Sequence, residues 1–536
     1  MMNVFLPALL ILSVVASTAH VLSAEPAVLS ADKLERYCET FRKSDNEVYV
    51  QHVANAMAPI FLKKNAPLFE CPDKDLEEIY YFRWWTYRKH IKQTPDGFVI
   101  TEFLPKVGWS GKHNAINCAA GHHFYEGRWL HDQTFLDDYS MFWFRKGGNP
   151  RQYSCWIADA IWARTMVTGN VVRAMELLPD LIANYEAWEQ KQQHPSGLFW
   201  QTDNNDGMEM SIGGAGCRAT INSYMYGDAV AIAKIAGLLG KEKAAEAFRK
   251  RAATLKSMTQ EKLWDADAKF FKVLRLGKDG KPQGFSDGRE LHGFTPWYMN
   301  LPDADKTAAW SQLMDPEGFC APFGPTTAEQ RHPRFSTKPG RHECTWNGPS
   351  WPYATSVTLT ALANLLNNYE QDVIEKKDYL QTLRIYAMSH RLKYDDGTIV
   401  PWIDENLDPE TGEWIARKIL RYRQNNTTWS MAKGGFERGK DYNHSTFCDL
   451  IITGLVGLRP QDDGSLVVNP LVPDGVWDWF CLDNVLYRGR VLTILYDKTG
   501  QRYGKGTGLR VLMDGKEVGQ SDNIGPVKVA KQIVEL

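Results

Sequence analysis

The sequence predicts a mainly α protein: an (α/α)6 toroid followed by a small C-terminal β-sandwich module. Three observations carry this. From about residue 75 to 460, helical hydrophobic periodicity alternates with long polar connections bearing Gly, Pro and Trp. After Arg459-Pro460 the texture changes to short apolar runs separated by turn signals. Acidic motifs far apart in the chain fall in the connections, where functional groups concentrate. The expected division is a signal peptide at 1–24, an N-terminal segment at 25–70, the toroid at 71–460 and the β module at 461–536.

The elements follow in order. Residues 25–70 read as leading helices or a strand-bearing cap. Segment 76–92 reads as a helix, with Ile79, Phe82, Tyr87 and Ile91 near helical spacing. Segment 149–168 places Trp156, Ala160, Ala163 and Val167 on one stripe, and 171–192 forms a third helix. Segments 223–239 and 242–256 read as a hairpin broken by Gly240. Helices at 303–313, 351–366, 372–392 and 443–458 complete the series. Six pairs with functional residues in their connections fill this span, and no short fixed repeat suggests a solenoid. Beyond it, strand-like runs at 466–468, 485–487, 491–496 and 509–513 are separated by Asp463-Gly464, Arg488-Gly489 and Asp514-Gly515, with a further short run after the last.

Composition excludes several classes. A net charge of −2 over 536 residues gives no electrostatic case for nucleic acid or anionic membranes. An apolar run at 4–15 followed by Ala16-Ser17-Thr18-Ala19 matches a secretory signal, so an exported protein without further membrane insertion is expected. Nine scattered cysteines, with no C-x-x-C, suit buried free thiols rather than a disulfide framework or metal site. The 19 tryptophans are the real deviation, and several stand beside Gly, Pro and acidic residues in expected loops.

Chemistry concentrates in three segments. Asp206-Gly207-Met208-Glu209-Met210-Ser211 and Asp404-Glu405-Asn406-Leu407-Asp408-Pro409-Glu410-Thr411-Gly412 are acidic; Glu343-Cys344-Thr345-Trp346-Asn347-Gly348-Pro349-Ser350-Trp351-Pro352 lies between them. Glycosidic cleavage needs one carboxyl protonated for the leaving oxygen and one ionised to activate water. Tryptophan faces suit sugar C–H groups, so the pattern points to a glycoside hydrolase. The competing readings are a solvated turn or a Ca²⁺ loop at Asp203-Asn204-Asn205-Asp206-Gly207. Gly121-His122-His123 with Glu126 invites a metal reading. Adjacent histidines point to different sides, however, and no H-E-x-x-H exists, so no metal is expected and His122 is a sugar-binding candidate. His444, at the start of the last helix, is another. Cys344 reads as buried rather than nucleophilic, and Gly213-Gly214-Ala215-Gly216 lacks the phosphate-loop lysine.

These motifs resemble the six-hairpin glycosidases: family 37 trehalases, family 63 enzymes and the mannosylglycerate-hydrolase-like group. Trp129-Leu130-His131-Asp132 resembles an early Trp-x-x-Asp whose Asp binds the terminal sugar. Gly207-Met208-Glu209-Met210-Ser211 looks like the segment carrying the general acid. Trp346-Asn347-Gly348-Pro349-Ser350-Trp351 matches a Trp-x-Gly-Pro-x-Trp loop, and 405–412 resembles the segment bearing the general base. The resemblance spans 129–412 in the family's order. It implies Glu209 as acid and Glu405 as base. The family acid is usually Asp, which makes Asp206 the reserve. Asp132 would hold sugar hydroxyls, and Trp129, Trp346, Asn347 and Trp351 would wall the pocket.

The expected reaction is inverting exo-hydrolysis of an α-linked glycan terminus without metal or organic cofactor. Inverting enzymes hold their carboxyls about 6.5–9.5 Å apart to admit water. Loops 2 and 5 of a toroid face each other across one funnel, which suits that gap. Two alternatives stand beside this: a polysaccharide lyase using Arg83, Arg218 and His122 as a basic subsite, and a non-catalytic carbohydrate binder. Sugar, linkage and oligomeric state are left open.

Overall fold

In the computed structural model, residues 28–338, 342–426 and 434–534 are described, and the expected signal segment lies outside them. Six helical pairs form the toroid, each with an outer member followed by an inner one. The outer members are Lys74–His90, Thr134–Arg145, Val172–Gln192, Glu242–Leu263, the 3-10 segment Ala304–Gln312 and Lys376–Ser389. The inner members are Ala120–Gly127, Ile157–Thr168, Ala219–Leu238, the single turn Thr295–Tyr298, Pro352–Asn368 and a π-helical turn at Leu450–Leu455. Successive inner members pack on one another around the ring.

Burial separates the two layers. Ala219–Leu238 and Pro352–Asn368 are buried on nearly every side, as helices in the centre of a protein must be. Glu242–Leu263 buries one stripe, through Ala245, Phe248, Ala252, Leu255, Thr259 and Leu263. Lys74–His90 is an outer member yet almost wholly buried, because helices Asp32–Ser44 and Ala58–Asn65 of the N-terminal segment cover it. Glu126 joins the first inner helix to the last inner segment. Its carboxylate accepts the backbone N–H groups of Phe447, Cys448 and Asp449 at 2.9–3.3 Å.

The helix expected over 149–168 begins only at Ile157. Asn117 holds the residues before it, donating from Nδ2 to the carbonyls of Pro150 and Tyr153 and accepting from Tyr153 N. The sequence reading also passed over Ala120–Gly127 and Thr134–Arg145. Gly121 interrupts the apolar pattern, and it is required: a Cβ there would lie 2.2 Å from the Trp156 ring.

The C-terminal module has two sheets. One contains Leu458–Pro460, Leu466–Val468 and Val527–Val529; the other contains Trp479–Tyr487, Arg490–Asp497, Gly508–Met513 and Lys516–Ser521. Its two tight hairpins turn where the sequence signals them. Arg488-Gly489 and Asp514-Gly515 all have positive φ, the two-residue turn whose twist matches paired strands. The second sheet takes its edge strand, Leu68–Glu70, from the N-terminal segment, with Leu68 opposite Asp483. The module meets the toroid at the short returns from inner to outer helices. Arg488 N donates to Val167 O (2.9 Å), Lys376 Nζ to Pro470 O (2.9 Å) and Asn469 Nδ2 to Asn367 Oδ1 (2.8 Å). No described helix is long and apolar enough to cross a membrane.

Candidate active site

A cavity of about 410 Å³ opens where the outer-to-inner connections converge. All of its described lining residues come from five of these six connections: 91–119, 146–156, 193–218, 313–351 and 390–446. Glu209 lies on the third connection and Glu405 on the sixth, not on the second and fifth as the sequence count had it. Three ring members missed in sequence, Ala120–Gly127, Thr134–Arg145 and the turn Thr295–Tyr298, account for the shift. In a ring of six, the third and sixth connections face each other.

The three sequence motifs are hydrogen-bonded into one unit. Trp346 N donates to Glu209 O at 3.0 Å, and Ser350 and Leu407 exchange backbone hydrogen bonds of 3.0 Å. The tryptophan loop therefore ties the loop of Glu209 to the loop of Glu405. Trp346 and Trp351 stack with ring centroids 4.6 Å apart, and Trp351 forms part of the cavity wall. Asn347 binds Arg334 O instead and is not part of the lining.

The turn carrying Glu209 is anchored from below. Asp206 is buried; Arg218 Nε donates to its Oδ2 at 2.6 Å and Thr220 Oγ1 donates to the same oxygen. Gly207 has φ of 73° and presses so closely on Cys118 that a Cβ would come within 2.6 Å of its sulfur. Glu209 is half-buried at the cavity wall. Burial, with Glu405 nearby, pushes its pKa up to about 7, so it holds a proton near neutrality.

Glu405 occupies a different environment. Arg438 Nε lies 2.6 Å from its Oε1 and Arg438 Nη2 3.0 Å from its Oε2, a two-point, charge-assisted grip. The same guanidinium reaches Glu343 Oε1 through Nη1 at 3.1 Å. Cys344 Sγ donates to Glu405 Oε2 at 3.1 Å, and burial, reinforced by Glu405, raises the pKa of this thiol. Asp404 lies behind the wall, where Glu405 N donates to its Oδ1 at 2.8 Å. Burial, then Glu405, pushes its pKa up to about 7.

Other residues singled out from sequence lie elsewhere. Trp129 is fully buried and donates from Nε1 to Asp449 Oδ1 at 2.7 Å. Asp132 Oδ1 accepts from Thr134 N at 3.0 Å in the turn leading into Thr134–Arg145; neither residue is part of the lining. His122 is buried edge-on against Trp156 and Tyr353, behind the lining. His444 does line the cavity. Arg218 is committed to Asp206, and Arg83 donates to Ser445 O at 2.8 Å, so the basic subsite a lyase would need is not assembled from them.

Sequence reasoning missed Glu102, Arg438 and Tyr442, all in the lining. Glu102 is buried, accepts from Tyr442 Oη at 2.6 Å, and is pushed by burial to a pKa of about 8. Among the described residues no group of three or more His, Cys, Asp or Glu is placed to hold a metal ion, and the nine cysteines are unpaired.

An all-helical ring with opposed carboxyls and an aromatic wall defines the class: a glycoside hydrolase domain. The chain belongs to the mannosylglycerate hydrolase MGH1-like glycoside hydrolase domain family, whose model matches residues 112–445. Residues 458–519 match the C-terminal domain of glycosyl hydrolase family 65. A solved structure named "Sialidase" is 43% identical with a TM-score of 0.86, covering 94% of this chain and 45% of its own. The chain thus spans under half the length of that relative. The family 78 rhamnosidase of Bacillus sp. GL1 is 12% identical with a TM-score of 0.53, covering 84% of this chain and 41% of its own. The α-L-rhamnosidase of Streptomyces avermitilis complexed with L-rhamnose is 12% identical with a TM-score of 0.52, covering 87% and 41%. These two likenesses show the fold alone.

Proposed function

We propose that the protein is an exported glycosidase that removes terminal α-linked sugars with inversion, using Glu209 as general acid and Glu405 as general base. The observation that carries this reading is the contrast between two carboxyls in one cavity. Glu209 is held protonated near neutrality, and Glu405 is gripped by a guanidinium. That division of roles is the one glycosidic cleavage needs.

In the reaction, Glu209 gives its proton to the glycosidic oxygen as the bond to the anomeric carbon breaks. Glu405 takes a proton from a water attacking the opposite face. The products are the freed alcohol and a hemiacetal of inverted configuration, with Glu209 ionised and Glu405 protonated until solvent exchange resets both. Placement on the third and sixth connections supports a gap wide enough for that water. A cavity of about 410 Å³, at the small end of the range for ligand sites, supports capture of a chain end.

Aryl α-glycosides, disaccharides and sialosides form the test panel, the last because of the name the 43%-identical relative carries. NMR of the first-formed anomer reads the stereochemistry. Glu405→Gln should abolish turnover and leave sugar binding intact. Retention of configuration, or near-wild-type kcat in that variant, overturns the mechanism. Ultraviolet absorbance from a new double bond would instead mark a lyase.

A further inference from the structure

We propose that Glu102, Tyr442 and His444 form an uncharged hydrogen-bond relay that reads neighbouring hydroxyls of a neutral sugar, presenting one donor and one acceptor in either proton arrangement. This rests on the glycosidase reading of the cavity and adds a specificity device to it.

The relay is built from two segments zipped together. Asn443 N donates to Glu102 O at 3.1 Å, and Asn443 Nδ2 to Thr101 O at 3.3 Å. Tyr442 Oη lies 2.6 Å from both Glu102 Oε1 and His444 Nδ1. Phe103 and Tyr353 pack against the Tyr442 and His444 rings, with centroids 4.9 and 4.6 Å away, fixing their planes. Glu102 and His444 side chains are each 5% exposed, and all three residues line the cavity. Among the described residues, Glu102 Oε2 and His444 Nε2 have no hydrogen-bond partner. Buried polar atoms are rarely left so, and a polar ligand is the natural complement.

One hydroxyl carries one proton, which fixes the logic. If Tyr442 donates to Glu102, then His444 Nδ1–H donates to Tyr442. Nε2 is then a bare acceptor, and Glu102 keeps its proton on Oε2 as a donor. If Tyr442 donates to His444, every role reverses. Burial keeps the imidazole neutral and the carboxyl protonated near neutrality, which supports both arrangements. The surroundings also disfavour an acidic sugar. Among the described lining residues, Glu102, Glu209, Glu343 and Glu405 face Arg438 as the only Lys or Arg, and each of its nitrogens already meets a protein carboxylate.

Calorimetric binding tests this without needing turnover. The probes are neutral monosaccharides, their monodeoxy derivatives, glucuronic acid and N-acetylneuraminic acid, with the Tm of each variant measured alongside. A neutral sugar should bind the wild type, and deleting one or two particular hydroxyls should weaken it about tenfold, the effect of one lost hydrogen bond. In Glu102→Ala the same deletions should cost under about twofold. Glu102→Gln, whose amide offers a donor and an acceptor, should recover part of the affinity lost in Glu102→Ala. Equal deoxy penalties in wild type and Glu102→Ala, no recovery in Glu102→Gln, or tighter binding of the acidic sugars would each overturn the relay. Hydroxyl-selective binding without hydrolysis would leave the relay standing and remove the glycosidase reading.

Discussion

Arg438 holds Glu405 by two nitrogens at 2.6 and 3.0 Å, and both side chains are at most 2% exposed. Removing one member of such a buried pair leaves the other charge uncompensated, at a cost of about 3–5 kcal/mol. Arg438→Met should lower stability by that order, measured by urea denaturation, and reduce kcat/KM at least about a hundredfold. Arg438→Lys keeps the charge and loses the two-point geometry, so it should recover most of the stability and little of the activity.

The proton on Glu209 sets an alkaline limit. With a pKa near 7, kcat/KM should fall as pH rises through that value. Glu209→Gln should abolish cleavage of ordinary glycosides and flatten this limb. Turnover should return on aryl glycosides whose leaving group departs without protonation. A limb that persists in Glu209→Gln would assign it to another group.

Asp404 links pH to stability. Its folded pKa of about 7 stands above the unfolded value, so between about pH 4 and 7 the folded state keeps a proton that the unfolded state has released. Stability from this group is therefore complete below about pH 4 and declines as pH rises through 7. The difference in unfolding free energy between wild type and Asp404→Asn should fall with pH across that window. A flat or rising difference would contradict the assignment.

Glu126 satisfies three backbone N–H groups at the ring's closure, so Glu126→Ala strands buried donors. A loss of about 2–4 kcal/mol is expected, read by thermal unfolding. Glu126→Gln offers one acceptor oxygen where the carboxylate offers two, and should fall between wild type and Glu126→Ala.

Much of the fold was legible because it is written locally. Helical stripes such as 171–192 and the hairpin turns Arg488-Gly489 and Asp514-Gly515 depend on neighbours in sequence. The same holds for Glu209, Glu405 and Trp351, which stand in compact motifs and do meet in one cavity. Glu102, Arg438 and Tyr442 stand in no motif; ring closure brings Glu102 there, and Arg438 and Tyr442 arrive when the long sixth connection folds back on Glu405. Trp129 and Asp132 show the converse. The Trp-x-x-Asp pattern is present, but its indole serves Asp449 and its carboxylate serves the turn before a helix.

The strand Leu68–Glu70 has a consequence for synthesis. Its partner, Trp479–Tyr487, is made only after nearly the whole toroid has left the ribosome. Until then Phe69, fully buried in the finished molecule, has no sheet to join. This pairing thus ties the start of the described chain to its C-terminal module, and a chain truncated before residue 479 would carry an orphaned, aggregation-prone strand near its other extremity.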